Sequence, residues 1–181
     1  MTTANKLTIL RVVMIPVFLV LMLTDFPGHR WPALAVFILA SLTDFLDGYL
    51  ARKNNQVTAF GKFMDPLADK LLVTAALLVF VQWQQAPAWA VFVILAREFG
   101  VTGLRLVAAS EGTVIAAGMS GKVKTFSSLI CLCLMMTPFH GLTLVKPAFT
   151  LDVLCVIVML VTTVWSGAEY FVKFGKLLKV K

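Results

Sequence analysis

Charge is scarce in this chain. Of 181 residues only 14% are charged, whereas 60% are hydrophobic, and the mean hydropathy is +0.92. Ordinary soluble domains are about 45–50% apolar and about 25% charged, so water could not solvate the surface of such a chain. Cysteine is nearly absent too. Cys131, Cys133 and Cys155 lie inside apolar segments without CxxC spacing, which argues against a disulfide framework or a thiolate metal site and for buried, inert thiols. His29 and His140 fall in short connections far in sequence from most of the acids, leaving a His-ligated metal centre little support. Internal repeats, low-complexity linkers and a second domain are missing, so residues 1–181 read as one domain.

Long apolar runs fill the space. The first, "LTILRVVMIPVFLVLML", follows Lys6 and is interrupted by Arg11 and Pro16. Its charge order is that of a signal peptide, but no small-residue cleavage site follows, so it counts as a span. Asn5, Lys6 and Arg11 suit an interface better than hydrocarbon, which predicts an N-terminal interfacial helical turn. Further spans are predicted at 32–51, 62–82, 86–106, 124–142 and 148–168. Segments of about 20 apolar residues make the fold an all-α integral membrane protein with six transmembrane helices, because lipid leaves unpaired backbone groups no other open structure.

The net charge of +7 does not point to nucleic acid, since the basic residues gather at span ends rather than along one strip. Membrane lipids with anionic headgroups are the simpler partner. Six alternating spans bring most Lys and Arg to one face, leaving Arg30 and Lys146 on the other. The positive-inside rule makes the basic face, with both termini, cytoplasmic. Trp31, Trp83 and Trp89 then lie near the opposite ends, as interfacial aromatics do.

Against this apolar background four acids crowd around one connection. In "TDFLDGYLAR", Asp44, Asp47, Gly48, Ala51 and Arg52 recur at i, i+3, i+4, i+7 and i+8, one face of a helix. In "GKFMDPLADK", Gly61, Asp65 and Asp69 recur every fourth residue. The linking "KNNQVTAF" is short and polar, so the two helices are expected to be antiparallel neighbours whose acidic faces meet. A helix start near Lys62 would put Pro66 in the first turn, where its missing N–H leaves no intrahelical bond unmade. Each intramembrane carboxylate costs about 2.5–3.5 kcal/mol on insertion scales, and like-charge repulsion adds to it. Arg52 and Lys70 are too few to offset four acids. All-oxygen donors point to a hard divalent cation, Mg²⁺ or Mn²⁺, with room for two ions and open positions for phosphate oxygens. Gly48 and Gly61 would let a ligand approach the backbone or let helices pack closely. A proton relay or an ion-coupled transporter vestibule also uses such acids, and spacing alone leaves both readings open.

The same residues carry a resemblance. "DFLDGYLAR" followed by "GKFMDPLAD" resembles the signature of the CDP-alcohol phosphatidyltransferases, D-x-x-D-G-x-x-A-R, a spacer, then G-x-x-x-D-x-x-x-D. Asp44, Asp47, Gly48, Ala51, Arg52, Gly61, Asp65 and Asp69 fill every fixed position. "NKLTILRVVMIP", "AREFGVTGLRL" and "GKVKT" are similar to the bacterial members that make phosphatidylglycerophosphate. Up to about residue 128 most of the chain is covered, and beyond it the likeness is mainly one of hydrophobicity.

The resemblance implies a homodimeric six-helix membrane enzyme of the bacterial inner membrane, its active site cytoplasmic. It would transfer the phosphatidyl group from CDP-diacylglycerol to sn-glycerol 3-phosphate, giving phosphatidylglycerophosphate and CMP. Carried over by motif position, Asp44, Asp47, Asp65 and Asp69 hold metal, and Asp69 is also the catalytic base. Gly48, Arg52 and Thr58 match positions that contact the CDP moiety, with Ala51 and Gly61 on the same CDP-lipid side. For the acceptor's phosphate, the candidates are Arg97 and Arg105, two turns apart in the fourth span, and Lys122 and Lys124 before the fifth. Snorkelling to headgroups is the ordinary role of such residues, although Arg97 lies deep enough to need a partner. A basic set at 97–124 favours a phosphorylated acceptor over serine; cardiolipin and phosphatidylinositol-phosphate synthases are the near alternatives.

Overall fold

A computed structural model describes the backbone of residues 3–53, 59–110, 118–144 and 149–174. Side chains are described over 9–43, 67–109 apart from 69, 118–144 and 149–173. Six helices follow in order: α1 (Thr3–Leu23), α2 (Arg30–Lys53), α3 (Ala59–Gln82), α4 (Ala88–Ser110), α5 (Met119–Met136) and α6 (Leu151–Phe174). Among the described residues, β structure is confined to an isolated bridge between Thr143 and Thr150. The fold is all-helical, as its composition requires. By length and composition α5 and residues Leu151–Lys173 of α6 could each cross a membrane, and α1, α2 and α3 carry shorter apolar stretches. Large apolar side chains face outward on all six helices, among them Val13, Leu39, Leu78, Phe92, Phe126 and Val161.

The chain divides into two compact units, Met1–Trp83 with Met136–Pro138, and Gln84–Met135 with Phe139–Lys181. In the first, α1 packs along both α2 and α3, which also touch each other. Phe18 of α1 and Phe37 of α2, both fully buried, meet with ring centroids 5.7 Å apart. At one end of the unit Gly28 takes φ of +79°, a turn conformation that suits glycine, and lets the chain reverse from α1 into α2. There His29 packs edge-on against Trp83 at 5.8 Å, and the Arg30 guanidinium lies 4.6 Å from the centre of the same indole. These contacts pin together the last turn of α1, the first turn of α2 and the end of α3.

The second unit is built on α4 against α6, with α5 joined to both through side chains. Val101, Ala108 and Tyr170 form a buried apolar seam between α4 and α6. Cys131 and Cys155 are buried free thiols, as expected, and Cys133 is half-buried.

Three expectations are corrected. α3 begins at Ala59 rather than Lys62, so Pro66 is inside the helix rather than in its first turn. A membrane-type helix tolerates this where neighbouring groups satisfy the freed carbonyl. α5 runs over Met119–Met136 instead of 124–142. It stops there because Thr137 precedes Pro138, and proline disfavours the helical conformation of the residue before it. Lys122 and Lys124 therefore lie on the helix, not ahead of it. Finally, Arg11 is not open to headgroups: it is 1% exposed, enclosed in the first unit on a continuous α1.

Candidate active site

Asp44, Asp47, Gly48, Ala51 and Arg52 occupy the last turns of α2, which continues helical to Lys53. Gly61, Asp65 and Asp69 occupy the first half of α3. Since both stretches are helical, the spacing gives each set one face of its helix. Two helices in contact thus carry the eight motif positions, flanked by α1. The side chains of these eight residues, and Thr58 altogether, lie outside the described residues. Among the described residues no three His, Cys, Asp or Glu side chains gather as a metal site would require.

The basic candidates belong to the second unit and are described in full. Arg97 of α4 donates from Nη2 to Ser166 Oγ of α6, and its Nη1 lies 3.5 Å from Glu98 Oε1. The glycine at 167 allows this approach, because a Cβ there would stand 3.2 Å from Arg97 Cγ. Two turns along α4, Arg105 donates from Nε to the Tyr170 hydroxyl at 2.9 Å, with its guanidinium 5.4 Å from that ring's centre. Arg97 lies at 5.9 Å from the same ring. Tyr170 therefore stands between the two guanidiniums, as i, i+4 spacing from Ser166 on α6 allows.

Lys124 is 3% exposed and pairs with Glu98 across α4 and α5. Glu98 thus holds two cations, Arg97 and Lys124, in one network. Lys122, two residues earlier, faces outward. The structure therefore brings Arg97, Arg105 and Lys124 together through Glu98, Ser166 and Tyr170, and leaves Lys122 at the surface. The sequence reading missed Ser166, Gly167 and Tyr170. Their signal was a polar, small and aromatic set at 166, 167 and 170 on the last span, nearly a hundred residues after the motif and in no obvious register with it.

The family model of the CDP-alcohol phosphatidyltransferases matches residues 1–165. The chain belongs to that family. A CDP-diacylglycerol–glycerol-3-phosphate 3-phosphatidyltransferase of Bacillus subtilis is 46% identical, over 97% of this chain and 96% of its own length. A protein of Mycobacterium tuberculosis named probable phosphatidylglycerophosphate synthase is 39% identical, over 92% of this chain and 78% of its own. A Rickettsia bellii protein with the same name as the Bacillus one is 35% identical over 92% of each chain. As a CDP-alcohol phosphatidyltransferase the chain is an enzyme, a transferase of phospholipid biosynthesis. The family match takes in α1 to α5 and most of α6, and ends at Trp165, so Ser166, Gly167 and Tyr170 lie just beyond it.

Proposed function

We propose that this phosphatidyltransferase moves the phosphatidyl group of CDP-diacylglycerol to sn-glycerol 3-phosphate, giving phosphatidylglycerophosphate and CMP. One observation carries the reading: the eight motif positions, all filled, lie on two helices in contact, at spacings that give each set a single face. The likeness to relatives named for this reaction supports the choice of acceptor.

Asp44, Asp47, Asp65 and Asp69 would hold Mg²⁺ or Mn²⁺, two ions in all, since four carboxylates and no nitrogen or sulfur donor suit a hard cation. Held there, such an ion would supply charge neutralisation for the CMP leaving group. The remaining steps fall to the protein's own groups. Arg52, two turns after Asp44, offers a fork of donors to the same phosphates. Gly48, Ala51, Thr58 and Gly61 shape the side that takes the CDP-lipid. Asp69 accepts the proton of the attacking hydroxyl, which displaces CMP in line at the β-phosphorus.

Arg97, Arg105, Lys122 and Lys124 would hold the acceptor's phosphate. Arg105 is the best placed of the described groups, since Tyr170 orients its guanidinium while its other nitrogens can face a ligand. Lys124, buried against Glu98, would act by fixing Arg97's surroundings and the local charge. The enzyme is read as a six-span protein of the bacterial inner membrane, a homodimer, with both termini and the site cytoplasmic. Outward-facing Leu, Val and Phe on every helix support that placement.

The test is direct. Purified protein with CDP-diacylglycerol is assayed for CMP release with glycerol 3-phosphate, serine, inositol phosphate and phosphatidylglycerol, each with and without chelator. Metal-dependent release with glycerol 3-phosphate alone is expected. Release with another acceptor instead moves the protein to a different branch, and full activity in chelator removes the metal reading.

A further inference from the structure

The start of α5 lacks the groups that ordinarily steady a helix N-terminus. Gly118 precedes the helix and has no side chain to cap it, and no acid lies in the first turn. Lys122 and Lys124 follow close behind. The unbonded N–H groups of a first turn carry partial positive charge, so cations there are unfavourable and an anion is favourable. The anion comes from another helix.

Glu169 of α6 places its Oε1 3.7 Å from where a Cβ would stand on Gly118. The Ser120 side chain engages the same carboxylate, and Lys173, one turn further along α6, pairs with it. Contacts further along fix the register. Ser166 Oγ stands 4.0 Å from the Cβ position of Gly121, and Ser127 donates to Thr162 at 3.4 Å. Stepping forward along α5 therefore steps back along α6. The same register joins the start of α5 to the basic network, because Ser166 also accepts from Arg97. Lys124, one turn after Ser120 and on its face, reaches Glu98. Ser120 and Lys124 are both buried, so fraying of the first turn would take Lys124 from its place against Glu98. Of the acids described in this unit, Glu98 holds Arg97 and Lys124, and Asp152 holds His140. Glu169 is left to serve α5.

We infer that Glu169 is a positioning residue of the acceptor site, a cap supplied by α6 that holds the lysine-bearing start of α5 in place for the acceptor's phosphate. The inference rests on the acceptor site given under the proposed function. Glu169 lies beyond Trp165, where the family match ends, and outside the aspartate signature. Removing its carboxylate also makes the neighbourhood more positive, which by itself favours an anion. Lys173 is mostly exposed, so its unmatched charge would be screened by solvent, and the loss of the cap is the larger effect.

Glu169→Gln in the purified full-length protein, compared with the native enzyme by hydrogen exchange and steady-state kinetics, tests it. Amides of residues 118–124 should exchange roughly three to ten times faster, the effect of a charge at a helix start, while those in the middle of α4 keep their rate. The KM for glycerol 3-phosphate should rise several-fold, with kcat and the KM for CDP-diacylglycerol within about twofold of native. Glu169→Asp keeps the charge and should recover most of both effects. Lys173→Met should leave exchange at 118–124 near native; if it reproduces the Glu169→Gln effect, the ion pair matters and the cap is overturned. Unchanged exchange in Glu169→Gln overturns the cap as well. Faster exchange with an unchanged KM makes Glu169 a support of the fold alone, and a lowered KM makes it a competing anion; either result overturns the positioning role. Arg105→Ala run alongside separates this from the acceptor reading. If neither variant moves the KM for glycerol 3-phosphate, the acceptor site itself is misplaced, whereas an effect in Arg105→Ala alone removes only Glu169.

Discussion

Gly167 of α6 lies so close to Arg97 of α4 that an added methyl carbon would meet the Arg97 Cγ at 3.2 Å. The arginine stem has little freedom to yield, since its guanidinium is held by Ser166 and Glu98. Gly167→Ala is expected to destabilise the protein by about 1–2 kcal/mol, as overpacking does, and to raise the KM for glycerol 3-phosphate. Thermal melting and steady-state kinetics on one preparation check both. Unchanged values for both would mean that the helices part without disturbing Arg97.

Glu98 supplies the counter-charge of Lys124, a lysine 3% exposed. Glu98→Gln leaves that ammonium in place and removes its anion, which costs about 3–5 kcal/mol for a buried pair. Glu98→Gln combined with Lys124→Met should recover much of the loss. A double-mutant cycle on melting temperature measures the coupling, and a value near zero would mean that the pair is solvated.

Asp69→Asn should retain the fold and the binding of CDP-diacylglycerol but lower CMP formation by about 10²–10⁴-fold, the usual contribution of a general base. Binding and turnover measured side by side separate the roles. Near-normal turnover takes Asp69 out of the base role, and lost CDP-lipid binding shows that it acts chiefly through the metal.

Arg105→Ala and Lys122→Ala differ in their surroundings. Arg105 is held by Tyr170, whereas Lys122 is exposed. Each is expected to raise the KM for glycerol 3-phosphate with kcat changed less, as the loss of an anion contact does, and Arg105→Ala should have the larger effect. Tyr170→Phe should reproduce part of the Arg105 effect. If only the KM for CDP-diacylglycerol moves, the acceptor's phosphate is bound elsewhere.

Most of the helical plan was legible because apolar runs of about 20 residues leave few alternatives. The differences sit where a second signal competes with hydropathy. "TPFHGL" is apolar enough to extend a span, yet Pro138 ends α5 at Met136. Lys122 and Lys124 read as a polar lead-in, yet lysine has good helix propensity and Glu98 draws Lys124 into the interior. The motif itself was legible from spacing alone, because four acids in apolar sequence have few reasons to be there. What spacing could not reveal was contact between distant segments. Ser166 and Tyr170 follow Arg97 and Arg105 by more than sixty positions, and a charged residue such as Arg11 gives the same composition signal whether it meets headgroups or is enclosed by protein.

The way α1 lies along both α2 and α3 has a consequence for anyone shortening the polypeptide. Cutting away the opening two dozen positions would spare every letter of the aspartate signature. It would also strip out the rod against which both signature-bearing rods rest, so such a trimmed enzyme should be inert despite its intact motif.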